Sequence, residues 1–527
     1  MKRTMALLIV LFMTAALLFA GGGAQQGATG ATRLTVQLFD RGTDGGRTRV
    51  DQNAWTQWIQ EKVLRDLNIE VTFFPVGRWT ENTDIINLMA AGAAPDLCYT
   101  YNTGMISSFR DQGGILNITP HIDLLPDARR LLGDDPAFPG NDFIMRDLEP
   151  NGRMFSSPSY RVALAQRNIF IREDWLNALG LPMPRTTQEF YNALVAFRDR
   201  DPGNVGRANI IPFAQDADAR WGLANFIHPS INPNLSDRDR YVHAVAQRNI
   251  LFPGYVDGVR MMNRWYNEGL IFRDFPLMQI TDDFYNLIKT GFVGAFAGNW
   301  DLPYRGDYNI IGDLRRNVPN ANFVPIDPIQ SSDGITHKDM MDKTGLRVFV
   351  PVFSRVPEAA LRYLNWLCIP ENYTFLQIGQ AGINHQLVGG VPELLTRPPN
   401  DPWFQNSAQN IDFTMLQNGI EMGSTELNSR VLALSYGGFP SEVIVEAYAI
   451  STRNARAPVV VNIPTSQDGV YGQTLIDKAD ALLAQAITAN PADFDRIWNA
   501  GIQDYLISGG QAVMDERIAI ANSWTWR

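Results

Sequence analysis

The sequence predicts an α/β protein built around more than one core. Three observations carry this. The chain has 527 residues, and at roughly 100–200 residues per domain it requires two to four domains or two large lobes. Short alternating apolar stretches take turns with stretches of helical spacing, the order that builds a largely parallel sheet. Hydrophobic residues make up 45% and charged residues 19%, the balance of a chain that can bury a sizeable core.

The first residues read as a targeting segment. Met1-Lys2-Arg3 is a positive start, Ala6 to Phe19 is an almost unbroken apolar run, and Ala20 is followed by Gly21-Gly22-Gly23. That is the pattern of a signal peptide with a small-residue cleavage site. The run is shorter than the ~20 residues of a membrane span. The expectation is a signal peptide over 1–20, a flexible tether over 21–33 and an exported, soluble mature chain, with an uncleaved anchor as the alternative. No cysteine follows the apolar run to carry a lipid; the two present are Cys98 and Cys368. Both lie in apolar surroundings and read as buried free thiols, although their spacing leaves pairing open.

Charge and motif content exclude several function classes. A net charge of −10 offers no basic stripe to neutralise phosphates, so nucleic acid is not an expected partner. His121, His228, His243, His337 and His385 form no metal-spaced pair, and no HExxH, CxxC, Walker or GxSxG motif is present. No cofactor is implied.

Along the chain, Leu34-Thr-Val-Gln-Leu-Phe39 alternates as a strand, Trp55 to Leu67 has helical spacing, and Ile69-Glu-Val-Thr-Phe-Phe74 alternates again. Thr83 to Ala91 is helical and Asp96-Leu-Cys-Tyr99 is a third short strand. Trp55, Trp58 and Trp79 read as helix packing. A second α/β unit starts near Asn168-Ile-Phe-Ile-Arg172. There Thr186-Thr187 caps a helix with Glu189 just inside it. Gly294-Ala-Phe-Ala297 is a strand ending in Gly298-Asn299-Trp300, and residues 472–520 are mostly helical.

Several motifs in this order resemble one known family. They are Asn87-Leu-Met-Ala-Ala-Gly-Ala-Ala-Pro-Asp96, Asp111-Gln-Gly-Gly-Ile-Leu-Asn-Ile-Thr-Pro120 and Asn151-Gly-Arg-Met-Phe155 through Pro158. The longest is Ile171-Arg-Glu-Asp-Trp-Leu-Asn-Ala-Leu-Gly-Leu-Pro-Met-Pro184 with Thr186-Thr-Gln-Glu-Phe190. Trp265-Tyr-Asn-Glu-Gly-Leu-Ile271 and Pro357-Glu-Ala-Ala-Leu-Arg-Tyr-Leu-Asn-Trp366 complete the set. Together they resemble extracellular solute-binding proteins of family 1, the maltose-binding-like receptors of ABC importers. The similarity is greatest to the long lipoprotein-type branch, over about residues 34–520. Most motif residues are structural, since apolar residues at helical spacing face a core; they identify a fold, not a ligand.

The resemblance implies a two-lobed periplasmic-binding-protein-like fold (type II) with a ligand cleft between lobes joined by hinge crossings. Crossings are expected near Phe155–Tyr160, near Phe323–Ile329 and after Leu376. Lobe one is then 34–157 with 325–376, and lobe two 158–324 with 377–527. The implied ligand is a carbohydrate, the implied partner an ABC permease, and the expected state a monomer. A sugar site needs planar aromatics for C–H faces and polar side chains for hydroxyls. Aromatics are 11% of the chain, with 12 Trp, so candidates are plentiful. Trp300 and Asp301 lie past a strand, as stacking platform or as core. Tyr99, Tyr101 and Asn102 follow the third strand, and Arg41 and Asp44 the first. Trp221, after Arg220, sits in a loop of lobe two, and Tyr160 with Arg161 at the first crossing.

Two segments depart from relatives. Asp201-Pro-Gly-Asn-Val-Gly-Arg-Ala-Asn-Ile-Ile-Pro212 aligns with an EF-hand-like loop, but only Asp201 survives as a charged ligand. Calcium wants six to eight oxygens, so the turn is expected to persist without the metal. Gly379-Gln-Ala-Gly-Ile-Asn-His385 lacks a Glu that relatives often carry. The rival class is a polysaccharide-acting enzyme, which needs two opposed carboxylates. A ligand sensor without transport is the third reading.

Overall fold

The computed structural model describes residues 30–41, 49–133, 152–219, 222–278, 282–305, 309–395, 403, 412–434, 436, 439–461, 463, 465–524 and 526. The signal segment 1–20, Asp44, Arg220 and Trp221 lie outside them.

Alternation in the first strand translates directly into packing. β1 (Thr32–Asp40) buries Leu34, Val36 and Leu38 and pairs in parallel with β2 (Ile69–Gly77), from Thr32↔Ile69 to Asp40↔Gly77. The helix between them, Ala54–Leu67, starts in a capping box of Asn53 with Thr56 and ends at Asn68, whose φ is 56°. Asn tolerates this left-handed position better than most residues. Trp55, Ile59 and Val63 share its core-facing side. A parallel bridge Val36↔Leu97 leads into β3 (Cys98–Thr100).

Two further sheets complete the α/β frame. β4 (Ser157–Arg161) belongs with β3 to one sheet; β5 (Arg167–Arg172), β6 (Ile211–Ala214), β7 (Val293–Asn299) and β8 (Phe323–Ile326) make another, in the order β6-β7-β5-β8. After the short β9 (Lys338–Asp339), β10 (Thr344–Phe349) inserts between β4 and β3. A hairpin of β11 (His385–Val388) and β12 (Val391–Leu394) follows, and β13 (Gln417–Asn418) pairs beside β4. The two four-stranded sheets are mixed rather than largely parallel. β10 runs against both of its neighbours, and β5 runs against β7 and β8. Local alternation carries no direction, so these returns were invisible in the sequence.

Apolar packing divides the fold into two lobes. One core joins residues from Leu34 to Val162 with Leu346–Leu376 and Phe413–Leu416. The other lies on both faces of the second sheet, from Ala165 to Ile329, with later helices closing over it. The chain passes between them along three neighbouring segments. Arg161 N–H donates to Lys343 O at 2.6 Å, Val162 N–H to Asn418 O at 2.8 Å, and Met341 N–H to Leu164 O at 2.9 Å.

These crossings differ from the expected positions. Phe323–Ile326 pairs with β5 as Ile169↔Ile326, and Ile326 and Ile329 are buried in the second core, so 325–329 packs with lobe two. Phe413, Met415 and Leu416 are buried in the first core, so lobe one extends well past Leu376. An apolar strand fits either sheet until its partner is known. The C-terminal helices Ser466–Thr488, Phe494–Tyr505 and Gln511–Ser523 cover lobe two. Helix Ser466–Thr488 also meets helix Thr103–Asp111 of lobe one. No described helix is long and apolar enough to cross a membrane.

Candidate ligand site between the lobes

Strand direction sets the site. β1 and β2 are parallel, and β3 and β4 both oppose β10, so the carboxyl ends of β1 to β4 share one edge of lobe one. In lobe two Arg167, which opens β5, lies opposite Asn299, which ends β7, and β6 runs with β7. Only residues 162–166 separate β4 from β5, so the two rims face each other. Ligands of open α/β sheets bind at such edges.

On the first rim, Arg41 forks onto Asp412: Nε donates to Oδ2 at 2.5 Å and Nη2 to Oδ1 at 2.8 Å. Nη2 also reaches the Tyr101 hydroxyl at 3.4 Å. Burial opposes the charge on Arg41, but the Asp412 carboxylate outweighs burial and holds the guanidinium protonated. Tyr101 lies parallel to Phe39, centroids 6.1 Å apart. Arg78 sits over the Tyr101 ring at 4.3 Å and pairs with Glu81 at 3.2 Å. Burial pushes the Glu81 carboxyl up, while Arg78 pulls it down. Beside them Trp79 is 74% exposed, with the Arg78 guanidinium 5.1 Å from its ring. Trp79 is therefore not a packing residue, unlike Trp55, which is fully buried, and Trp58, which stacks on Phe375 at 4.2 Å.

At the first crossing, the Tyr160 hydroxyl donates to Glu421 at 2.5 Å; burial first, then that carboxylate, push the phenol up. Arg161 packs tightly against Gly345, where a Cβ would come within 2.8 Å of the guanidinium. Burial lowers Arg161, opposed by Tyr101 and Asp342.

The second rim corrects the leading candidate. Trp300 is only 5% exposed, boxed edge-on by Tyr436 at 5.8 Å and Tyr448 at 5.4 Å. Asp301 accepts from the Tyr436 hydroxyl at 2.5 Å and pairs with Arg305 at 2.9 Å. Both complete the lobe-two core. Tyr99 is likewise fully buried, its hydroxyl accepting the Phe39 N–H at 2.9 Å. Asn102 is a helix cap that accepts from Met105 N–H at 3.2 Å. Of the described candidates, the structure brings Arg41, Tyr101, Tyr160 and Arg161 to the inner rim.

Sequence reading missed several rim residues. Arg167 pairs with Asp339 at 2.9 Å, and His228 bonds the same carboxylate through Nδ1. Burial works against that carboxylate, but His228 and Arg167 outweigh it and hold Asp339 well below the usual range. Asp216, just past β6, is buried. Burial pushes its carboxyl up to about 7, although Asp218 and Gly222 N–H groups stabilise the charge. Several buried polar atoms at the rims have no hydrogen-bond partner among the described residues. They include Arg78 Nε, Glu81 Oε2, Arg161 Nε, Gln166 Oε1, Asn168 Oδ1, both amide ends of Gln215, Asn299 Oδ1 and Gln417 Oε1. The rule of strand ends, applied to β6, would have found Gln215 and Asp216.

The first departing segment is held by its own backbone. Asp201 has φ 47° and accepts from Val205 N–H at 3.0 Å and Gly206 N–H at 2.8 Å. No metal-holding group of three or more His, Cys, Asp or Glu occurs among the described residues. In the other, His385 Nδ1 meets Ile378 O at 3.1 Å.

This architecture is the two-lobed fold of the extracellular solute-binding proteins, as the motifs implied. No protein-family model matches the chain. The chain is similar to lipoprotein LipO of Bacillus subtilis, 25% identical over 338 residues that cover 61% of this chain and 62% of the relative. It is also similar to the fructooligosaccharide ABC transporter substrate-binding protein FusA of Streptococcus pneumoniae, 24% identical over 203 residues, 35% of this chain and 36% of the relative. The chain thus spans less than two-thirds of the length of these curated relatives. Among solved structures, the alginate-binding protein AlgQ2 without calcium ion superposes with a TM-score of 0.66 at 15% identity, covering 93% of this chain and 98% of that one.

Proposed function

We propose that the chain is an extracytoplasmic receptor of an ABC import system, which takes an oligosaccharide into the cleft between its lobes and delivers it to a membrane permease. The observation that carries this reading is the set of unpartnered amide and guanidinium atoms on the facing rims. Buried polar groups left without partners are costly, and sugar hydroxyls, which both donate and accept, would satisfy them. Exposed Trp79 beside Arg78 offers the planar surface that a sugar C–H face needs. The named functions of FusA and AlgQ2, binding fructooligosaccharide and alginate, support a glycan. The segment 1–20, read as a signal peptide, supports export.

The rim carboxylates favour binding over hydrolysis. Asp412 is committed to Arg41, Asp339 to Arg167 and His228, Asp301 to Tyr436 and Arg305, and Asp216 to backbone amides. A hydrolase would hold two carboxyls free to face one glycosidic bond. Closure would proceed by bending at the three crossing segments, and ligand would stabilise the closed form by mass action.

The test is a thermal-shift screen of the chain from Gly21 onward against maltotriose, 1-kestose, trigalacturonate and a tripeptide, with chromatography of each glycan afterwards. A saturable rise in Tm with one intact glycan is the expected result. No shift with any glycan, or cleavage of one, would overturn the reading.

A further inference from the structure

The second rim carries a more specific message than the presence of a cleft. Gln215 is fully buried, and neither end of its amide has a hydrogen-bond partner among the described residues. It is the first residue past β6. Side chains alternate along a strand, so Gln215 shares a face with Phe213, and Asn299 shares one with Ala297. Phe213, Ala295 and Ala297 pack in the same core cluster, and Phe213 lies opposite Ala295. Gln215 and Asn299 therefore crown the same face of adjacent strands, and Arg167 stands opposite Asn299 on the next. Asn225 closes this row, donating to Gly298 O at 3.3 Å and to Asn168 O at 3.4 Å.

The kind of unpartnered atom is informative. On this rim four are carbonyl acceptors, on Gln166, Asn168, Gln215 and Asn299, and one is a donor, Gln215 Nε2. Asn168 cannot be turned round, because its Nδ2 donates to Trp300 O and Ala447 O. Gln215 leaves both a donor and an acceptor unmatched, so a ligand matched to it both donates and accepts, as a hydroxyl does. A carboxylate only accepts and an ammonium only donates, so neither group could satisfy both ends of the Gln215 amide. The neighbouring cations Arg167 and Arg305 are already paired with Asp339 and Asp301, which leaves a uronate no uncommitted cation among them.

Resting on the receptor reading above, we infer that the lobe-two rim is a subsite for a neutral, hydroxyl-bearing sugar unit, and that Gln215 is its specificity-determining residue. Its amide is unmatched without ligand and matched by a hydroxyl with ligand. Gln215 therefore trades stability of the empty protein for affinity.

Calorimetry on the chain from Gly21 onward tests this with 1-kestose, maltotriose, trigalacturonate and a glucosamine trimer. The wild type should prefer a neutral trisaccharide. Gln215→Leu should weaken that binding at least tenfold, while the Tm of the empty protein stays level or rises. Gln215→Glu, which keeps the volume and removes the donor, should weaken it similarly and covers the case in which the leucine variant fails to fold. Preference for trigalacturonate or the glucosamine trimer would overturn the inference, as would either variant binding within twofold of wild type. Those outcomes leave the receptor reading intact, whereas a wild type that binds no glycan sinks both.

Discussion

Asp412→Leu should cost far more than the loss of one surface ion pair. The carboxylate is wholly buried and Arg41 is 12% exposed, so solvent screens neither. Two charge-assisted bonds of 2.5 and 2.8 Å hold the pair. Removing the acid strands a buried guanidinium that keeps only weaker contacts, such as the Tyr101 hydroxyl at 3.4 Å and the Phe39 ring at 5.7 Å. Breaking one side of a buried pair costs about 3–5 kcal/mol, whereas replacing both charges by apolar residues is often close to neutral. The prediction is a sharp fall in the urea midpoint for Asp412→Leu and recovery of most of that loss in Arg41→Met/Asp412→Leu. Equilibrium urea unfolding followed by circular dichroism measures it. A single variant that loses under about 1 kcal/mol, or a double variant no better than the single, would refute the claim that burial makes these charges interdependent.

Three other outcomes follow from particular residues. The Asp216 carboxyl is raised to about 7 by burial, so the folded chain holds this proton more tightly than the unfolded chain. Stability relative to Asp216→Asn should therefore fall as pH rises from about 4 to 7, by roughly 3–4 kcal/mol in all, and a flat difference across that window in urea midpoints would contradict it. Trp79→Ala should weaken glycan binding about two- to tenfold, the worth of roughly 0.5–1.5 kcal/mol of ring contact, while Tm moves little because the ring is 74% exposed; a large Tm loss with unchanged affinity would mark it as structural. Gly509 holds φ 123°, and a Cβ there would come within 2.3 Å of the Tyr471 ring. Gly509→Ala should cost about 1–3 kcal/mol in thermal unfolding, and an unaltered Tm would show that the helix joint relaxes freely.

Local pattern carried much of the fold and part of the site. Alternation placed β1, helical spacing placed Trp55 on a buried face, and the strand-end rule brought Arg41 and Tyr101 to the rim. Each depends on neighbours close in sequence. Trp300 obeyed the same rule and still went inward, because Tyr436 and Tyr448 box it from a distant stretch of chain. Trp79 went the other way: next to a helical run it resembled packing, yet the chain turns at the end of β2 and leaves it in solvent. Crossing positions were displaced for a related reason. Pro325 and Ile326 fit either sheet, and only β5, far upstream, decides between them.

The two cysteines have a practical use. Cys98 and Cys368 are about 1% exposed and both belong to the lobe-one core; no third thiol exists in the chain. Burial raises both above their ordinary range, so neither presents a reactive thiolate while lobe one is intact. A thiol reagent is then a chemical clock for the opening of one lobe alone. Its rate, set beside a whole-chain optical signal, would time the dissolution of the two cores separately, without a single label being engineered in.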